Sequence, residues 1–179
     1  MVNLDETLIA SDVIYKGILI DLHRVTVELP DGSHTMREAV QHPGAVAIVP
    51  LLGADQVVLV RQYRTAARRI LLEIPAGTLE PGEDPEQAAI RELQEEIGYK
   101  PGKLERLGRE YTAPGYTTEL IYLYVATELI PSRLDGDVDE FIEVVTLPLA
   151  DVLAQIERGE IEDGKTLAGL LLAARKLGV

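Results

Sequence analysis

A chain of 179 residues, 46% hydrophobic and 26% charged, suits an ordinary globular protein that buries about 70% of its unfolded surface. Its formal charge of −13 argues against nucleic acid or an anionic membrane as main partner, so an anionic substrate must be drawn in by local positive charge or a metal. Cysteine is absent, which excludes disulfides and thiolate chemistry, and no stretch reads as a secretory signal or membrane span. A soluble, cytoplasmic protein is the expectation.

In chain order, "VIYKGILIDLHRVTVEL" (13–29) is rich in β-branched residues and ends in the turn signal Pro30-Asp31-Gly32. With "SHTMREAVQH" on the far side, it predicts an antiparallel hairpin system. "GAVAIVPLL" and "QVVLVRQYR", separated by "GAD", predict a strand pair in the core. A short strand, "RILLEIP", precedes a helix, and further strands are predicted around "LERLGREYT", "TTELIYLYVATEL" and "DEFIEVVTL". Two helices end the chain. Strands outnumber helices without alternating strictly with them, so a mixed sheet flanked by helices is expected. Residues 1–42 are expected to form an N-terminal lobe and residues 43–179 the main domain.

Two motif matches fail on context. "GEIEDGKT" (159–166) satisfies the phosphate-loop pattern G-x-x-x-x-G-K-[ST]. However, a helical pattern of Leu149, Val152, Leu153 and Ile156 precedes it, and Glu160, Glu162 and Asp163 stand where a triphosphate would sit. It predicts a turn between the two last helices. Asp135, Asp137 and Asp139 open like an EF-hand loop, which then fails at Glu140 and Thr146. His23, His34 and His42 have no spacing that suggests a metal site.

The informative stretch is "GTLEPGEDPEQAAIRELQEEIGY". Asp84 is suited to cap a helix N-terminus, Pro85 to its first position, and Gly98 to a left-handed end. Ala89, Ile90, Leu93 and Ile97 make the buried stripe, within about 100° of arc. Glu92, Glu95 and Glu96 crowd the neighbouring arc at i, i+3 and i+4. Carboxylates ~4 Å apart repel by about 4 kcal/mol at an effective dielectric of 20. By spacing alone this is either a solvated acidic face or a site for a hard divalent cation, which selects carboxylate oxygens.

The whole constellation decides between them. Gly77, Glu83, Arg91-Glu92-Leu93, Glu95-Glu96 and Gly98 reproduce G-x₅-E-x₇-R-E-U-x-E-E-x-G-U, U being a bulky aliphatic residue, apart from Tyr99 at the last U. This resembles the Nudix box. The resemblance implies an α/β/α sandwich with a mixed sheet, here with N-terminal antiparallel strands added, and Mg²⁺- or Mn²⁺-dependent hydrolysis of a nucleoside diphosphate linked to another moiety. It further implies Glu92, Glu95 and Glu96 as metal ligands together with the Ala76 carbonyl. Arg91 would hold the glutamates, Glu83 would brace the loop, and Gly77 would let the loop approach the helix.

"HPGAVAIV", "VRQYR", "LLEIPAG" and "YTAPGYTTE" look like the ADP-ribose pyrophosphatase branch of that family, in which a proline follows the box at a fixed distance; Pro114 lies 16 residues after Gly98. By that likeness Arg64 is expected to bind the diphosphate. Glu73 and Glu119 would touch substrate or metal-associated water, and Arg37 and Glu38 would reach into a partner subunit's site in a homodimer with exchanged N-terminal strands. The general base would be Glu140. The implied reaction takes ADP-ribose to AMP and ribose 5-phosphate. Another nucleotide sugar such as GDP-mannose, or a nucleotide-binding module without catalysis, would use the same framework, and the sequence does not choose among seven tyrosines for a base-stacking residue.

Overall fold

The computed structural model describes residues 2–136 and 141–179. They fall into two compact units, one comprising residues 2–44 and 111–120 and the other residues 45–110, 121–136 and 141–179.

The first unit is the expected hairpin system. Strands β1 (Thr7–Lys16), β2 (Asp21–Glu28) and β3 (His34–Gln41) form an antiparallel sheet in that order. The β-branched run therefore divides at Gly17–Ile20, and β2 turns into β3 through Gly32 at φ 82°. Val40 N–H donates to the Tyr116 carbonyl and Thr118 N–H to the Val40 carbonyl, which ties the 111–120 loop to β3.

The second unit is built on a seven-stranded mixed sheet. Its path runs β12 (Glu143–Pro148), β5 (Gln56–Arg64), β4 (Ala45–Leu52), β10 (Leu120–Thr127) and β9 (Lys103–Tyr111). In addition, β6 (Arg69–Glu73) pairs with β5, and β7 (Ala76–Thr78) with β4. β4 and β5 do form the expected hairpin, but they pair only at its base, Leu51↔Val57 and Leu52↔Gln56. Farther along, β4 runs parallel to β10 from Ala45↔Ile121 to Pro50↔Ala126. The short strands β8 (Tyr99–Lys100) and β11 (Ile130–Pro131) pair with each other.

β4 is buried on both faces, as its unbroken apolar run requires. Its odd positions, Ala47, Val49 and Leu51, pack with Leu59, Val152, Leu170 and Ala173 beneath helices α2 (Leu149–Glu157) and α3 (Gly164–Leu177). Its even positions, Val46 and Ile48, pack with Val58, Val60, Ala88, Ala89, Leu93 and Ile97 on the other face. Each fully buried Val, Leu or Ile contributes about 1.5–3 kcal/mol, so the two faces together fix the sheet between helical layers. α3 comes so close at Gly169 that an added Cβ would lie 2.8 Å from Ile74 Cδ1 and 3.2 Å from Val49 Cγ2. None of the helices among the described residues is long and apolar enough to cross a membrane.

The box helix departs from a single regular α-helix. α1 (Pro85–Glu92) is capped by Asp84, whose side chain accepts from the Glu86 and Gln87 N–H groups. It then widens into a π-helical turn, Leu93–Ile97, which Gly98 closes at φ 76°. Such turns cluster at functional sites.

The phosphate-loop lookalike is a helix cap. Asp163 caps α3 by accepting from both N–H and Oγ1 of Thr166. Thr166, fully buried, in turn accepts from Ile74 N–H at 2.9 Å, which joins α3 to the segment after β6. Thr166→Val keeps the shape but leaves that buried N–H unpaired. The expected loss is about 1–3 kcal/mol, read as a lower urea midpoint. A midpoint equal to wild type would contradict the assignment.

Candidate metal and phosphate site

The site is assembled from the box helix, the β6–β7 segment and the start of α3, all in the second unit. Arg91 stands at its centre with every donor engaged. Its Nε and Nη2 reach the two Glu83 oxygens at 2.9 and 3.0 Å, and Nη2 also reaches the Thr78 carbonyl at 3.3 Å. Its Nη1 donates to Glu92 Oε1 at 2.7 Å and to Glu95 Oε2 at 2.9 Å. Glu83 also accepts from Glu80 N–H, closing the loop ahead of the helix. Hydrogen bonding to Glu83, with further pull from Glu92 and Glu95, raises the pKa of Arg91, and the Arg91 bond lowers that of Glu83. The guanidinium is thus a fixed cation that relieves part of the repulsion among the box glutamates.

Glu92 and Glu96 are both buried, an expensive state for carboxylates without compensation. Glu96 Oε2 accepts from Ala76 N–H at 3.1 Å, which brings it to the start of β7. Glu92 lies against Gly77: a Cβ there would fall 2.0 Å from Glu92 Cδ and Oε1. Gly77 does not have a positive φ, so the glycine is needed for room and not for backbone conformation. Among the described residues, no three His, Asp or Glu side chains surround a common point that would hold a metal. Glu92 and Glu95 instead share the Arg91 Nη1. The donor set nevertheless suits a hard divalent cation, because two buried carboxylates lie beside the backbone of residues 76 and 77 and their oxygens are the ligands such ions prefer.

Arg64 lies within electrostatic reach of Glu96. Its Nε and Nη2 grip Glu73 through a bidentate pair at 2.8 and 2.7 Å, while Nη1 makes no hydrogen bond among the described residues. Glu73 has no exposed surface. Burial pushes its carboxyl pKa up, but Arg64 and Lys165 outweigh this and hold it below the ordinary value. Lys165 Nζ donates to Glu73 Oε2 at 2.5 Å and to Asp163 Oδ1 at 3.0 Å. Nearby Glu110 is pushed upward by burial and by Asp163, against the pull of Lys165.

Of the expected site residues, Arg64, Glu73, Ala76, Gly77, Glu83, Arg91, Glu92, Glu95, Glu96 and Gly98 fall in this unit. Arg37, Glu38, Pro114 and Glu119 belong to the first unit. There Arg37 Nη2 donates to Glu6 Oε1 at 2.8 Å, and Glu38 stands exposed opposite Arg24. Pro114 is exposed in its loop. Glu119 accepts from Thr112 Oγ1 at 2.7 Å and lies 3.7 Å from His42 Nε2. Because His42 Nδ1 accepts from Gly44 N–H, the ring is held in one orientation. Glu140, with Asp137 and Asp139, lies outside the described residues. Lys165 and Thr166 were not singled out as functional by sequence reasoning. The sequence marks both through the failed phosphate-loop match, and Thr166 also through the Asp163-x-x-Thr166 cap spacing.

A NUDIX domain model matches residues 41–170. The chain is 42% identical over 168 residues to an ADP-ribose pyrophosphatase of Bacillus subtilis, covering 93% of this chain and 91% of that protein. It is 41% identical to a methanol dehydrogenase activator of Bacillus methanolicus, with 91% and 89% covered. To a GDP-mannose pyrophosphatase of Yersinia pestis it is 36% identical, with 82% and 80% covered. The fold superposes on a crystal structure of an ADP compounds hydrolase with a TM-score of 0.87 at 27% identity, over 99% of this chain and 97% of that one. A match over most of the chain, together with the intact box and its sheet-and-helix frame, places this chain in the Nudix family.

Proposed function

We propose that this chain hydrolyses the diphosphate of ADP-ribose, giving AMP and ribose 5-phosphate, with Mg²⁺ or Mn²⁺ held by Glu92, Glu95, Glu96 and the Ala76 carbonyl. The observation that carries this reading is the pair of buried carboxylates, Glu92 and Glu96, set against residues 76 and 77. A divalent cation bound there neutralises phosphoryl oxygens and acidifies a water. The chain's own residues do the rest. Arg91 orients Glu92 and Glu95 from one nitrogen and is itself clamped by Glu83. Arg64, whose fork grips Glu73, offers its remaining Nη1 to diphosphate oxygens. Glu119 and Pro114 are proposed to contact the substrate, Arg37 and Glu38 to reach the substrate of a partner subunit, and Glu140 to serve as base.

The proposal extends to a homodimer. β1 is an edge strand exposed along its whole length, and it displays Leu8, Ile9, Val13 and Ile14. Such an edge invites pairing with another chain. Sedimentation at the 19.6 kDa mass of one chain would contradict this.

The GDP-mannose pyrophosphatase relative favours a second reading in which the sugar nucleotide differs. A substrate panel with Mg²⁺ in ¹⁸O-labelled water separates the two. ADP-ribose is expected to be cleaved at least about tenfold more efficiently than GDP-mannose, a margin of about 1.4 kcal/mol, with label in one monophosphate product. Faster turnover of GDP-mannose would replace the substrate assignment. Release of no monophosphate from any diphosphate would replace the enzyme with a binding module.

A further inference from the structure

The Lys and Thr of the rejected phosphate loop have a use that the proposed reaction does not yet include. Lys165 is nearly buried and has a carboxylate on each side, Glu73 and Asp163. Glu73 accepts from two cations, Arg64 through both oxygens and Lys165 at Oε2, which the two share. The result is a set of linked ion pairs of alternating charge, Arg64–Glu73–Lys165–Asp163, with Glu73 and Lys165 lying 92 positions apart in the sequence. The lysine is fixed by its place in the first turn of α3, whose cap Asp163 is locked by Thr166.

Arg64 spends Nε and Nη2 on Glu73, so the place of its Nη1 depends on how firmly that carboxylate is held. Lys165, itself balanced by Asp163, donates to the same Glu73 Oε2 that Arg64 Nη2 reaches, and so helps to hold the carboxylate that Arg64 grips. We propose that Lys165 is a positioning residue for the substrate diphosphate: by holding Glu73, it fixes the Arg64 guanidinium so that Nη1 is kept for phosphate oxygens. This rests on the reading of Arg64 as a diphosphate ligand.

The test is a double-mutant cycle on the full chain with ADP-ribose and Mg²⁺, together with thermal midpoints. Lys165→Met should raise KM about tenfold with kcat within about twofold, and Lys165→Arg should recover most of the loss. With Arg64 already replaced by Ala, Lys165→Met should change KM by less than about twofold. A merely structural lysine would lower the thermal midpoint and the active fraction, and its effect would persist without Arg64. An equal KM change in both backgrounds, or no KM change in Lys165→Met, overturns the role of Lys165 while the Arg64 reading stands. An unchanged KM in Arg64→Ala overturns the Arg64 reading, and the role of Lys165 falls with it. If Lys165→Met does not fold, Lys165→Gln, which keeps a donor but no charge, is judged by the same outcomes.

Discussion

Glu96→Gln should slow Mg²⁺-dependent cleavage of ADP-ribose by at least about 10³-fold in kcat, a loss of about 4 kcal/mol in transition-state stabilisation. The change is isosteric. The amide oxygen of the substituted side chain can still accept from Ala76 N–H, so the 3.1 Å bond at the start of β7 survives and the fold should be little altered. What disappears is one negative charge in a buried place that only a cation or a cationic side chain rewards. Nucleotide affinity should stay measurable, because Arg64 and Glu73 are untouched. A steady-state assay across Mg²⁺ concentrations reads the effect. Turnover within about tenfold of wild type would remove Glu96 from the metal site.

Gly77→Ala should have the second-largest effect, through crowding alone. The new Cβ would lie 2.0 Å from Glu92 Cδ and Oε1 and 2.3 Å from Oε2, far inside contact distance. The backbone at Gly77 does not have a positive φ and accepts alanine, so the relief available is for the Glu92 carboxylate to leave. The end of a glutamate moves readily, so unfolding stability should fall by about 1 kcal/mol or less. Activity should fall by about 10² or more, since the carboxylate would lose its place beside β7. Denaturant midpoints and kcat/KM on the same preparation check both halves. A destabilised but fully active Gly77→Ala would show that the position of Glu92 does not matter to the reaction.

What could be read from the sequence was local. Asp84, Pro85 and Gly98 act on their immediate neighbours, so the ends of the box helix were legible from three residues. The long apolar run of β4 announced a strand in the core. Arg91, four residues before Glu95 and next to Glu92, was legible as their partner for the same reason.

What could not be read depends on distant pairing. Nothing in "GAVAIVPLL" says that most of β4 pairs with β10 and β7 in preference to β5. The π-helical turn leaves Leu93 and Ile97 buried just as an α-helix would, so periodicity cannot distinguish the two. Glu73 was expected to touch substrate or metal-associated water; its carboxylate is wrapped by Arg64 and Lys165, and the lysine is too distant in sequence to suggest itself.

The proposed reaction needs the box glutamates to bind a divalent cation, and Mn²⁺ titration followed by electron paramagnetic resonance measures that binding. Wild type should show saturable Mn²⁺ uptake, strengthened by nucleotide, and Glu92→Gln combined with Glu96→Gln should abolish it. Equal uptake by the wild type and the double variant, or none by wild type with nucleotide present, would contradict the account.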